Sequence, residues 1–165
     1  MDPSNEQRIL DYWEAFLRQE SNDAGAVRSG YQAWSFGNNP DMANYLGNLV
    51  LEGVKTATAS LVWSYDSGDD PLPTIGQYSI ILDGQDMPLC IIHTTELYIV
   101  PFDEVDEAQA YLEGEGDRSL AYWREVHWKF FEEECRLIGR LPDLKMPVLC
   151  ERFTLVYPSS AVDEQ

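Results

Sequence analysis

Lys55 is the one basic residue between Arg28 and Arg118, an interval holding fifteen carboxylates from Asp41 to Asp117. It stands in Gly53-Val54-Lys55-Thr56-Ala57-Thr58-Ala59-Ser60, where a helical pattern has just ended at a glycine. A lone cation beside three hydroxyl side chains has several chemical uses. It can hold a phosphate as a point charge, pass a proton, or act as the base for a threonine nucleophile. The same residue also reads as a surface lysine closing a helix, where its charge meets the negative end of the dipole. Spacing bears on the choice. Lys55 and Thr58 are three apart, so in a regular strand they point to opposite faces. They converge only if the chain turns between them or the long lysine stem wraps around.

A second cluster is Glu113-Gly114-Glu115-Gly116-Asp117. It can present Glu113 to a site with backbone freedom around it, or it is a solvated loop feeding the positive end of the next helix. His127 follows on that helix, one turn from Trp123 and Phe131, and reads first as a hydrogen-bonded core histidine. Arg124 lies on the same helix near Trp128, with a carboxylate as its expected partner. Cys90 and His93 have a C-x-x-H spacing, but on a strand they face opposite sides, so no metal site is expected. There is no P-loop, no Rossmann glycine pattern, no G-x-S-x-G and no zinc spacing. No cofactor is expected.

The elements that must position these residues can be read from periodicity. Ser4 with Gln7 forms a capping-box pattern, and Ile9, Trp13, Phe16 and Leu17 give a helix face reaching about Ser21. A polar stretch with Gly25, Ser29 and Gly30 leads to Trp34-Ser35-Phe36-Gly37. Asn39-Pro40-Asp41 starts a second helix, and Gly53 ends it. Strand signals run from Thr56 to Tyr98, with a hairpin of Tyr78 to Leu82 and Pro88 to Tyr98. Cys90-Ile91-Ile92 is apolar on both faces, as in a strand buried on both sides. A short helical piece from Asp103 to about Leu112 precedes the acidic loop. Ser119 caps a long helix, and Val148 to Tyr157 is the last strand. This order predicts an α+β fold, one small β-barrel flanked by helices. It also predicts a helical extension over 1–30, a main domain over 31–158 and a flexible tail over 159–165.

A chain of 165 residues, 44% hydrophobic and 12% aromatic, can bury a core without disulfides or metals. Its three cysteines are odd in number and scattered, as expected of small buried hydrophobes in a reducing compartment. The start, Met-Asp-Pro-Ser-Asn-Glu, lacks the pattern of a secretory signal, and no apolar run is long enough to span a membrane. The cytoplasm is the expected location, with no membrane partner. A net charge of −18 repels polyanions and argues against strong non-specific nucleic-acid binding. It leaves room for a small neutral ligand.

Five blocks, in order, resemble the ASCH domain family of the PUA-like superfold. They are Trp34-Ser35-Phe36-Gly37, Gly53 to Ser60, Val100-Pro101-Phe102-Asp103-Glu104-Val105, Glu113 to Asp117 and Tyr122-Trp123-Arg124-Glu125-Val126-His127. The resemblance implies a PUA-like barrel and an RNA-related role. One bacterial branch of the family hydrolyses N4-acetylcytidine to cytidine and acetate with a Lys, a Thr and a Glu. These match Lys55 as base or proton relay, Thr58 as nucleophile and Glu113 as orienting acid/base. Thr56, Ser60, Arg124, His127 and Trp34 are the implied substrate-binding neighbours. Another branch, helical on both flanks as here, cleaves single-stranded RNA. The implied partner is thus a small nucleoside or a short single-stranded RNA. The alternatives are a non-catalytic RNA- or nucleotide-binding module and an acidic protein-interaction domain.

Overall fold

The computed structural model describes residues 2–19, 26, 29–67 and 70–158. Among these, four α-helices and five strands follow one another. They are α1 (Pro3–Gln19), β1 (Gln32–Trp34), α2 (Pro40–Leu51), β2 (Ala57–Leu61), β3 (Tyr78–Leu82), β4 (Pro88–Pro101), α3 (Glu107–Glu113), α4 (Leu120–Leu137) and β5 (Pro147–Tyr157). The strands form one mixed sheet in the order β1-β3-β4-β5-β2, with β1 parallel to β3. The fold is α+β. The chain divides into two compact units, residues 1–53, 76–94 and 153–165 in one and 54–75 and 95–152 in the other.

In the first unit α1 buries Ile9, Trp13 and Phe16, the face its periodicity predicts. Its cap differs from expectation. Asp2 Oδ1 accepts from the Ser4 amide at 3.0 Å, while Gln7 Nε2 donates to Asp11 Oδ1 at 2.9 Å. Pro3 explains the shift, because its fixed φ and missing N–H suit the first helical position and leave Asp2 outside the helix. The expected continuation to Ser21, the residue Gly25 and the tail over 159–165 lie outside the described residues. The start of α2 is as read: Asn39 Oδ1 accepts from the Met42 amide at 2.9 Å. All five residues of β3 are buried. Ile80 and Leu82 join Ile91 in a core with α1, while Ile81 joins Cys90 and Ile92 in a core with α2. Cores on both faces account for the apolar run Cys90-Ile91-Ile92.

In the second unit β2 pairs antiparallel with β5, Ala57 opposite Arg152 through Leu61 opposite Val148. Leu61, Val148 and Cys150 pack with Phe102, Trp123 and Phe131 in its core. The single helical piece expected from Asp103 is two pieces. A short 3-10 turn, Phe102–Glu104, comes first, and Asp106 then caps α3 through the Gln109 amide at 2.9 Å. A further 3-10 segment, Val62–Ser67, follows β2. Ser119 caps α4 as read, accepting from the Tyr122 amide at 3.1 Å. Spaced four apart, Trp123, His127, Phe131 and Cys135 form the buried stripe of α4.

All three cysteines are free and buried, and burial pushes the thiols of Cys90 and Cys150 up to about 12. They act as small apolar side chains. Among the described residues no helix is long and apolar enough to cross a membrane.

Phe131 is fully buried between Phe102 and His127. Phe131→Ala is expected to lower stability by about 3–5 kcal/mol through lost packing and an unfilled cavity. Denaturant unfolding measures this, and an unchanged midpoint would contradict the packing of α4 described here.

Candidate active site

The second unit holds four ionisable side chains in one buried group: Lys55, Glu113, Glu115 and His127. Backbone geometry brings them together. The Thr56 amide donates to the Leu112 carbonyl at 2.8 Å, tying the Val54 to Thr56 segment to the last turn of α3. Gly114 caps that turn with φ +76, and a Cβ there would meet the Val54 carbonyl oxygen at 2.8 Å. Only glycine combines that dihedral with so close an approach. Reversing the chain at Gly114 directs both Glu113 and Glu115 at Lys55. From α4, His127 enters the same space.

Lys55 Nζ lies 3.7 Å from Glu113 Oε1 and 3.7 Å from Glu115 Oε2, and it donates to the Ala57 carbonyl at 2.9 Å. The lysine is only 2% exposed. Glu113 is held from its other oxygen, where Oε2 accepts from Trp123 Nε1 and, at 3.1 Å, from Gln109 Nε2. Gln109 Nε2 also donates to the Thr58 carbonyl at 3.1 Å, and Tyr98 donates to Gln109 Oε1 at 3.2 Å. The ring of His127 stacks on Trp123 with centroids 4.2 Å apart.

The protonation of His127 follows from its two neighbours. Nδ1 sits 2.9 Å from the Trp123 carbonyl, which can only accept, so Nδ1 carries a proton. Nε2 sits 3.3 Å from Glu113 Oε1, an ion-pair distance with no hydrogen bond closed, and the facing carboxylate favours the protonated ring. Burial alone would lower the His127 pKa, but the Glu113 carboxylate outweighs it and raises the value.

The two carboxylates are driven apart. Burial would raise Glu113, yet the His127 cation, with Lys55 and the Trp123 N–H behind it, pulls its pKa below the ordinary range. Burial raises Glu115, and there Lys55 and His127 fail to offset it, because Glu113 adds repulsion. The two acids of one cluster are thus shifted in opposite directions. Glu115 and His127 each expose about 10% of their side chains, against 1% for Lys55 and Glu113. Glu115 and His127 are thus the more exposed members of the group.

The structure thus brings together Lys55, Glu113 and His127 of the residues named from sequence. Thr58 joins only through its carbonyl. Ala59 and Leu61 of β2 pack into the core, so the pleat carries the hydroxyls of Thr58 and Ser60 to the opposite face. That face holds Glu151, the register partner of Thr58, and Tyr65, whose hydroxyl donates to Ser60 Oγ at 3.0 Å. Thr56 is half-buried beside Lys55 and contributes the backbone bond described above. Arg124 is exposed, off the buried stripe of α4. Trp34 belongs to the first unit, its ring edge-on to Phe36 at 4.8 Å. Glu115 is the residue that sequence reasoning passed over. The acidic loop around it is not a solvated one: both Glu113 and Glu115 are buried.

A family model described as the ASCH domain matches residues 32–157. The chain belongs to the ASCH domain family. Two solved structures share its fold over almost the whole chain. An ASCH domain from Lactobacillus crispatus JV V101 is 29% identical with a TM-score of 0.80, covering 95% of this chain and 96% of its own. A protein from Enterococcus faecalis V583 is 36% identical with a TM-score of 0.80, covering 96% of this chain and 94% of its own. None of the curated proteins searched matches the chain. The α+β, PUA-like fold that the five sequence blocks implied is the fold of this ASCH domain.

Two titrations follow from the signs above. His127 has a raised folded pKa, so its contribution is complete below 6.5 and is lost as pH rises through that higher folded value. Glu113 has a lowered folded pKa, so its contribution is complete above 4.5 and is lost as pH falls through that lower folded value. His127→Gln should therefore flatten the loss of stability on the alkaline side and weaken the acid limb as well, because the His127 charge is the main influence lowering Glu113. Melting temperatures recorded from pH 4 to 9 for both proteins test it. An alkaline limb unchanged by the substitution would contradict the raised pKa of His127.

Proposed function

We propose that this ASCH domain is a hydrolase for the amide of a small modified nucleoside, of the N4-acetylcytidine type. The observation that carries the reading is the buried cluster in which Lys55 lies 3.7 Å from both Glu113 and Glu115 and His127 lies 3.3 Å from Glu113. Burying such charges costs several kcal/mol, and groups perturbed in this way gather where proton transfer is needed.

The chemistry is assigned residue by residue. Glu115 takes a proton from water as its oxygen attacks the acetyl carbonyl carbon. The carbonyl electrons move to oxygen, and Lys55 and His127, both cationic, stabilise that oxyanion. When the intermediate collapses, the C–N bond breaks and Glu115 returns the proton to N4 of the leaving base. The products are cytidine and acetic acid, with Glu115 restored. Glu113 holds Lys55 and His127 in place and stays ionised throughout. In this reading water replaces the threonine nucleophile expected from sequence, because the Thr58 hydroxyl faces away from the group. A raised pKa makes the Glu115 carboxylate a better base than a solvated one.

The net charge of −18 supports a small, uncharged substrate over a long polyanion. Hydrolysis of a neutral nucleoside should hardly respond to salt, whereas phosphate-driven RNA binding weakens steeply as salt rises.

Cytidine release from N4-acetylcytidine, followed by chromatography, is the test. The parent should turn over, Glu115→Gln should lose at least about 100-fold in kcat, and Lys55→Met should lose a similar factor. Absence of release from the parent would move the reading to the binding or cleavage of short single-stranded RNA.

A further inference from the structure

We infer that Glu113 Oε1, Glu115 Oε2 and His127 Nε2 form a binding site for one divalent first-row metal ion, Mn2+ or Zn2+. The inference concerns the cluster of the proposed hydrolase but does not depend on hydrolysis. These three atoms lie within 4.8 Å of one another, and all three residues are buried.

Two details separate them from an ordinary ion cluster. The first is Glu113 Oε1. It is a buried side-chain oxygen that accepts no hydrogen bond, although its carboxylate is 1% exposed. The bonds that orient Glu113, from Trp123 and Gln109, all fall on Oε2. One oxygen is fixed and the other is left directed at the cluster, as in a ligating carboxylate supported from behind. The second is His127. Its Nδ1 is committed to the Trp123 carbonyl, the usual support for a metal-bound histidine, and this fixes Nε2 toward the carboxylates. Nε2 and Glu113 Oε1 are 3.3 Å apart, and an ion with bonds of about 2.1 Å at the tetrahedral angle spans about 3.4 Å. One imidazole and two carboxylates suit Zn2+ or Mn2+ better than Ca2+, which takes six to eight oxygens. On binding, the ion takes the place of the Nε2 proton.

Lys55 is the competitor. Its ammonium lies 3.7 Å from both ligating carboxylates and keeps the Ala57 carbonyl as an acceptor at 2.9 Å. It neutralises the pair without closing a hydrogen bond to either. Removing its charge should therefore strengthen metal binding.

The test uses the full chain, stripped with EDTA and dialysed, with Mn2+ as the probe. Loss of the free-ion paramagnetic resonance signal gives the stoichiometry and affinity. One Mn2+ per chain is expected, displaced by Zn2+, with affinity at least about tenfold weaker in His127→Gln and Glu115→Gln. Lys55→Met should bind more tightly than the parent. If a variant does not fold, nitrogen hyperfine coupling from imidazole in the Mn2+-bound parent decides the ligand set, and its absence overturns the site. No binding by the parent, or equal binding by a folded His127→Gln, also overturns it. Binding by Lys55→Met alone does the same, since Lys55 is then the resident cation. Cytidine release in the presence of EDTA separates the two proposals: hydrolysis without Mn2+ binding leaves the hydrolase standing and removes the metal.

Discussion

The second unit is organised around the buried carboxylate of Glu113. An isolated ionised carboxylate at 1% exposure is several kcal/mol less stable than in water unless charges and hydrogen bonds offset the loss. Two hydrogen-bond donors and two cationic side chains surround it: Trp123 and Gln109 on one oxygen, His127 and Lys55 near the other. Each comes from a different stretch of chain or a different turn of helix. The last turn of α3, the buried stripe of α4 and the Val54 to Thr56 segment must all be in register for the group to exist. Deleting the carboxylate would leave two buried cations facing one another, a loss on the order of 3–5 kcal/mol. The anion is thus a constraint on the fold as well as a part of the site.

The same anion sets the behaviour of its neighbours. It raises the pKa of His127, and it adds to the burial that raises Glu115. Two glutamates only two residues apart take different roles because Gly114 reverses the chain between them and places one deeper than the other. Surrounding negative charge, −18 over the chain, discourages long nucleic acids without disturbing the compensated group inside. Compensated charge inside and excess charge outside are therefore compatible.

Much of this was legible in the sequence. Isolation of Lys55 within an acidic interval singled it out without any structure, and periodicity placed α2, α4, the hairpin and the last strand. Lys55 precedes β2, which begins at Ala57, so strand parity does not relate it to Thr58; within β2 the pleat sets Thr58 opposite to Ala59 and Leu61, which pack into the core. Other features depend on tertiary contacts that no local pattern carries. Glu113 to Asp117 has the composition of a solvated loop. Its burial comes from the approach of Val54 to Gly114, sixty residues apart in sequence, which only the fold creates. His127 reads as a hydrogen-bonded core histidine and is one, but its approach to Glu113 has no local signal. Two glycines flanking Glu115 were the available signal, since a left-handed residue between two acids can turn both toward one point. The cap of α1 was misplaced because Ser4 and Gln7 fit a capping box while Pro3 had already started the helix.

The claim on which the rest turns is that a small nucleoside enters at Glu115 and His127 and reaches Lys55. Nitrogen-detected magnetic resonance of the Lys55 ammonium and the His127 ring, during titration with N4-acetylcytidine, tests it most directly. Saturable shifts of both signals, with the His127 ring protonated at both nitrogens before ligand is added, are the predicted result. A titration in which neither signal moves while signals elsewhere in the chain do would contradict the account.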